Sequence, residues 1–320
     1  MREQIFTYGQ YLHRKFGAKI SKVPVSISGF TCPNIDGTVA KGGCTFCEND
    51  SFSPSLDRAR ELKGFFLNLT STANPHLEKQ LQQLEWQFEA LSKRLRDENG
   101  SERYLVYFQS FTNTYAPLET LKSLYEKALS FENVVGLSIG TRSDSISDET
   151  FAYLAELSQK TEIWIEFGIQ SIYDETLKRV NRGHDSANVQ EAILKAKDYG
   201  LNVCGHLIFG LPGETKEMML ETAKRAYELG IDSVKYHPLY VVKRTALANE
   251  YARGEFEPIS EELYCDVLSE ALLLKPPHVS VQRISAGIDD ESLIAPAWCQ
   301  DKKSQFRTIN KALKKVGLKY

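Results

Sequence analysis

VPVSISGFTCPNIDGTVAKGGCTFCEND, residues 23–50, is the stretch on which the fold reading turns. A β-branched run over 23–30 reads as a strand, and it runs straight into a loop carrying Cys32, Cys44 and Cys47. Eleven residues separate the first two cysteines and two separate the last pair. Soft thiolates hold iron well, and three on one loop suit a cuboidal iron–sulfur cluster with one iron left open to a small molecule. Gly37, Gly42 and Gly43 let such a loop fold tightly around a bulky inorganic core. Three other readings stand beside this one. Structural zinc usually shows two paired spacings, whereas a single C-x-x-C is present here. A thioredoxin-like CTFC pair leaves Cys32 unexplained, and buried structural thiols are the third possibility. Cys204, Cys265 and Cys299 are scattered and read as buried; of these, Cys299 beside Trp298 is the candidate for a functional thiol.

Outward from that loop, short apolar runs alternate with helical patterns, the signature of parallel strands joined by crossover helices. A helix opens with Asn74 as N-cap and Pro75 at the first helical position, and stops near Gly100. Strands follow at 104–109, 136–140, 162–170, 202–210 and 233–240, with helices from Pro117, from Ser147, over 186–199 and over 215–230. A doubly wound sheet would fit the alternation too. Polar residues gather just past the strand ends, among them Asn113, Arg142, Gln170, Glu214 and His237, and only a barrel converges all those ends on one face. The fold expected is therefore α/β, a partial (β/α)6-type TIM barrel over residues 1–240 with the cysteine loop at 30–50. Residues 241–320 form a C-terminal α/β extension, with a helix over Glu261–Leu274, a strand over 278–284 and a basic tail.

At 320 residues, 25% charged and with a net charge of -3, the chain has a globular composition and is not broadly basic. No apolar run is long enough to span a membrane, and the N-terminus lacks a secretory apolar core, so a cytoplasmic protein is expected. In that compartment thiols stay reduced, which favours metal or redox chemistry over disulfides. Charge is uneven: the last twenty residues carry Lys302, Lys303, Arg307, Lys311, Lys314, Lys315 and Lys319 against Asp301 alone. Such a tail would follow a phosphate backbone, or lie as an amphipathic helix with Phe306, Ile309, Leu313 and Val316 on its inner face.

Taken in order, FTCPNIDGT, YFQSFTNTYAPL, IGTRSD, EFGIQS, NRGHD, HLIFGLPGET and KYHPLYVVKRT resemble the radical S-adenosylmethionine (SAM) superfamily. The wide first cysteine gap points within it to the YtqA/YhcC group, which is related to the radical SAM domain of the elongator catalytic subunit. The resemblance implies a 4Fe–4S cluster on Cys32, Cys44 and Cys47, with SAM as the second cofactor. It places the SAM amino group near Gln109, Ser110, Thr112 and Asn113, although FQSFTN is less glycine-rich than that position usually is. Arg142 would meet the SAM carboxylate or pair with Asp144, Glu166 and Gln170 would hold the ribose hydroxyls, and Ile208 would wall the adenine. Lys235 and His237 share a face of their strand and are candidate catalytic residues. The resemblance also implies tRNA wobble-uridine modification, with tRNA met by the basic tail, and an electron donor such as flavodoxin or ferredoxin. A small-molecule or peptide substrate, or a non-catalytic zinc-containing RNA-binding protein, are the alternatives.

Overall fold

In the computed structural model, which describes residues 3–48, 62 and 64–320, seven of those runs stand side by side in one parallel sheet. In chain order, β1 (Glu3–Gln4) and α1 (Tyr8–Phe16) precede β2 (Ile20–Val25), α2 (Leu77–Asn99), β3 (Arg103–Phe108) and α3 (Leu118–Leu129). There follow β4 (Val134–Thr141), α4 (Asp148–Ser158), β5 (Glu162–Gln170), α5 (Asp174–Arg179), α6 (Ser186–Asp198) and β6 (Asn202–Phe209). Next come α7 (Lys216–Glu228), β7 (Ser233–Pro238), β8 (Val241–Val242), α8 (Ala246–Ala252) and α9 (Glu261–Leu274). The chain closes with β9 (Ser280–Arg283), β10 (Leu293–Ala295), α10 (Lys302–Lys315) and β11 (Leu318–Lys319). The main sheet runs β2-β3-β4-β5-β6-β7-β9 and curls into a half-barrel. The strand expected in the extension is thus the seventh of this sheet, paired in parallel with β7.

Two boundaries differ from expectation, each because a side chain takes over backbone bonding. The first strand stops at Val25 and does not continue to residue 30. Past it, Gln87 and Gln83 of α2 accept from the N–H groups of Ser26 (2.9 Å) and Ser28 (2.8 Å), while Gln87 and Gln80 donate to their carbonyls. These buried amides replace a neighbouring strand, so the backbone stays satisfied without a ladder. His76, not Asn74, stands at the N-cap of α2; Asn74 instead accepts from the His76 N–H (3.1 Å) and closes the turn before the helix. In α10, Ile309 and Leu313 are buried, but Phe306 and Val316 are each 40% exposed, which narrows the expected apolar face to two residues.

Strands buried on both faces sort their alternate side chains into two interiors. Ile163, Ile165, Phe167 and Ile169 of β5 pack outward in the core beneath the helices. Facing the barrel axis, Leu105, Trp164 and Cys204 meet Tyr8 and Leu12 of α1, which plugs the bottom. A capping box between Thr7 and Gln10 starts that helix, and Gly17 in the left-handed region (φ 66°) ends it. The next inward positions, Tyr107, Glu166, His206 and Lys235, form a polar layer above the plug. Among the described residues no helix is long and apolar enough to cross a membrane.

Candidate functional site

The cysteine loop lies over the C-terminal ends of the strands, where Cys32, Cys44 and Cys47 line one small cavity of about 160 Å³. Residues 49 and 50 of the expected loop lie outside the described residues. Gly42 and Gly43 sit at φ 84° and 76°, a conformation that a Cβ would strain. The segment after α5 locks the loop from below. Asn181 donates to the carbonyls of Lys41 (3.0 Å) and Gly43 (2.7 Å), and Asn34 donates back to the Asn181 carbonyl. The contact is close enough that a Cβ on Gly183 would lie 2.3 Å from Asn34 Oδ1. Two N–H donors aim at the Cys44 sulfur, Asn34 Nδ2 at 3.6 Å and Arg182 Nη1 at 3.7 Å.

Does the donor set fit a 4Fe–4S core? A single tetrahedral zinc at about 2.3 Å from each thiolate draws its sulfurs within about 4 Å of one another. Among the described residues, one trio of ligand atoms lies within 4.8 Å, and it is Glu166, Cys204 and His206, not the loop cysteines. The three loop thiols share a cavity without all lying within 4.8 Å of one another, a spread that leaves room for a larger core. They fit it. The Glu166 trio is no cation site, because two ammonium groups already sit on its carboxylate. The Cys204, Cys265 and Cys299 thiols are pushed by burial up to about 12, 11 and 12, so Cys299 is an inert core thiol.

Beneath the loop, Glu166 is fully buried and accepts four bonds. Lys22 (2.5 Å) and Ser138 (2.5 Å) reach Oε1; His206 (2.8 Å) and Lys235 reach Oε2. Burial alone would raise its pKa, but Lys22, Lys235 and His206 outweigh burial and hold it well below the usual range. All four lone-pair sites are used, so none remains for a ribose hydroxyl, the role expected from sequence. Burial lowers Lys22 to about 8 and His206 to about 4 despite the pull of Glu166. His206 is therefore a neutral imidazole donating from Nε2.

The small cavity opens into a larger lobe of about 580 Å³, the two sharing Cys44, Cys47, Gln109, Gln170, Arg182 and His206. Gln109, Thr112, Arg142 and Gln170 line the small one; Ile208, Lys235 and His237 line the large one. Ser110 and Asn113 do not line either. Ser110 shares a hydrogen with Ser26 (2.5 Å) and Asn113 donates to the Gly140 carbonyl (2.9 Å), so both tie the post-strand loop to the sheet. Arg142 pairs with Asp144 (Nε–Oδ1 2.8 Å, Nη2–Oδ2 2.5 Å), the alternative offered for it, and among the described residues its buried Nη1 has no partner. The buried Oε1 of Gln170, at φ 66° where β5 breaks register with β6, is likewise unpartnered. Lys235 and His237 do share the inward face; burial and then Arg283 lower His237 to about 3, and its Nδ1–H donates to the Pro238 carbonyl (2.7 Å).

Sequence reading missed Arg182, Lys22, His206 and Arg283. Arg182 passes beside Gly168 to donate to its carbonyl (2.8 Å), where a Cβ would stand 2.6 Å from the guanidinium. NRGHD, one of the motifs that carry the resemblance, held the signal for Arg182, a cation directly before Gly183; the others are set by register alone.

The family described as the Radical SAM superfamily matches residues 38–226, and its Radical_SAM C-terminal domain matches residues 231–315. The chain is 35% identical over 319 residues to Protein YhcC of Escherichia coli K12, spanning 99% of this chain and 95% of that protein. It is 37% identical over 311 residues to the uncharacterized protein YtqA of Bacillus subtilis, spanning 97% and 90%. A tRNA uridine(34) acetyltransferase of Methanocaldococcus infernus is 33% identical over 189 residues, 58% of this chain and 34% of that protein. In structure, the archaeal Methanocaldococcus infernus Elp3 superposes at TM-score 0.62 with 21% identity, covering 93% of this chain and 64% of that one, a likeness of fold. Family membership implies SAM and a 4Fe–4S cluster. With its half-barrel and its three-cysteine loop, the chain belongs to the radical SAM superfamily, in the group of YtqA and YhcC.

Proposed function

We propose that this chain is a radical SAM enzyme acting on the wobble uridine of tRNA, taking a carboxymethylaminomethyl group toward the aminomethyl group. The observation carrying the reading is one continuous cavity. Its narrow end gathers the three thiols and the unpartnered Arg142 Nη1, and its wide end reaches Lys302 of the basic tail. Cys32, Cys44 and Cys47 would hold the cluster, and Arg142 Nη1–H would donate to the SAM carboxylate. Gln170 Oε1 would accept from the amino group or a ribose hydroxyl, Gln109 and Thr112 would flank it, and Ile208 would supply an apolar wall. The chemistry that cluster and SAM supply when bound is reductive C–S cleavage to a 5′-deoxyadenosyl radical, which abstracts hydrogen from a substrate carbon. The protein's part is to wall the site, with Cys44 and Phe46 in an apolar cluster against Ile208 and Leu211. Lys235 and His237 face the substrate lobe as candidate proton-handling groups.

The tRNA substrate is supported by the uridine(34) acetyltransferase relatives and by the exposed cations of α10, Lys302, Lys303, Arg307, Lys311, Lys314 and Lys315. A flavodoxin or ferredoxin in the cytoplasm would supply electrons. Anaerobic reconstitution followed by SAM and dithionite tests the chemistry: a brown protein releasing 5′-deoxyadenosine is expected, and a colourless protein with one tight zinc refutes it. Nucleosides from tRNA of cells lacking the gene test the substrate. Accumulated carboxymethylaminomethyl-uridine is expected, and an unchanged profile removes the tRNA step.

A further inference from the structure

Among the described residues lining the large lobe there are four cations, Arg182, Lys235, Arg283 and Lys302, and no carboxylate. Two of the four are already engaged. Lys235 is neutralised by Glu166, and Arg182 is turned toward the Gly168 carbonyl and Cys44. Arg283, the last residue of β9, has no hydrogen bond and no ion pair among the described residues, yet its charge acts on His237, Tyr240 and Tyr107 around the lobe. Lys302, where α10 begins, also lines the lobe and has no ion pair among the described residues. A cavity with unbalanced positive charge and an unused guanidinium fork is built for an oxyanion, which Arg binds bidentately.

We propose that Arg283 is the specificity residue that clamps an oxyanion of the substrate in the large lobe, with Lys302 drawing that anion in. This deepens the function proposed above and rests on it. The oxyanion has two possible sources, the carboxylate of the modified base or a backbone phosphate. A lobe beside the radical site is where the group to be removed must sit, so a base carboxylate would be held next to the carbon that reacts. A neutral residue at 283 would leave the lobe able to admit a base but unable to prefer a charged one.

Phenylglyoxal footprinting of the reconstituted, SAM-loaded full chain tests this, with adduct formation at Arg283 read by mass spectrometry and the exposed Arg94 of α2, outside the basic tail, as the internal control. Three anticodon stem-loops are compared, carrying carboxymethylaminomethyl-uridine, aminomethyl-uridine or uridine, alongside N-methylglycine and inorganic phosphate alone. Shielding of Arg283 only by the carboxylate-bearing RNA is the expected result. Equal shielding by all three RNAs keeps the clamp and assigns it to phosphate. Shielding by the small anions but by no RNA keeps the oxyanion site and overturns the tRNA reading. No shielding by any probe overturns the proposal. In binding assays R283Q should weaken the carboxylate-bearing stem-loop about tenfold or more while leaving the aminomethyl one unchanged, with R283K intermediate. An equal loss for both RNAs would refute carboxylate selection.

Discussion

Glu166→Gln is the perturbation that separates a buried ionic layer from ordinary surface pairing. The substitution keeps shape and removes one negative charge from a fully buried side chain that faces two ammonium groups, Lys22 and Lys235, whose side chains are 21% and 7% exposed. Breaking a buried pair from one side leaves uncompensated charge and costs about 3–5 kcal/mol. At about 2.1 cal/mol/K per residue, the unfolding entropy of a chain this long is about 0.7 kcal/mol/K, so the melting temperature should fall by about 4–7 °C. Glu255→Gln, which breaks an exposed pair with Arg253, is the control and should shift it by no more than about 1 °C. Urea unfolding of the apo chain, followed by tryptophan fluorescence, reports the change; Trp164 lies two positions from the lesion and is buried. The pH dependence has a defined sign. Burial holds Lys22 near 8 even with Glu166 beside it, and without that carboxylate its pKa falls further. The E166Q penalty should therefore shrink as pH rises toward 8, where the variant's ammonium discharges before the wild type's, and level off above it. In the wild type the carboxylate's contribution is present above the usual Glu range and is lost only as pH falls well below 4.5. Adding Lys235→Met to E166Q should recover part of the loss. A loss under about 1 kcal/mol, or a double variant less stable than E166Q alone, would show that the layer is solvated and the reasoning wrong.

Gly183→Ala should lower iron bound per chain with little change in far-UV circular dichroism, because its Cβ would press on Asn34, which braces the cysteine loop; full iron content would contradict that bracing. Arg182→Gln removes a charged N–H donor 3.7 Å from the Cys44 sulfur, and should lower the cluster's reduction potential on the order of 50 mV in an anaerobic redox titration. An unchanged potential would make Arg182 purely structural. Glu214 is raised by burial to about 7, against the lowering effect of Ser171 and Thr176. Its stabilising contribution is therefore present in full below the usual 4.5 and lost as pH rises through 7, and Glu214→Gln should flatten that limb of the stability–pH curve.

Much of the site could be read directly from the chain because cysteine spacing and strand alternation are local properties. Cys32, Cys44 and Cys47 are marked as one group by their spacing, and the structure brings them to one cavity; Lys235 and His237 share a face because strands have a period of two. The failures have one cause. Glu166 was read from its place on a strand, but its partners Lys22, His206 and Lys235 come from three other strands. Ser110 and Asn113 sit in the expected segment but turn toward the sheet, since Gln109 and Thr112 take the cavity side of an irregular loop. The end of the first strand was misplaced because glutamines more than fifty residues away supply its hydrogen bonds.

By itself, then, the sequence determined that parallel strands alternate with helices, that three thiols sit after the first strand, and that the tail is basic. Tertiary structure alone decided that β9 completes the sheet, that α1 plugs its base, and that Arg182 and Arg283 reach the cavity. The physical reason is range. Spacing encodes what neighbours in the chain do, whereas charge compensation and cavity lining depend on the register between strands, which only the packed barrel sets.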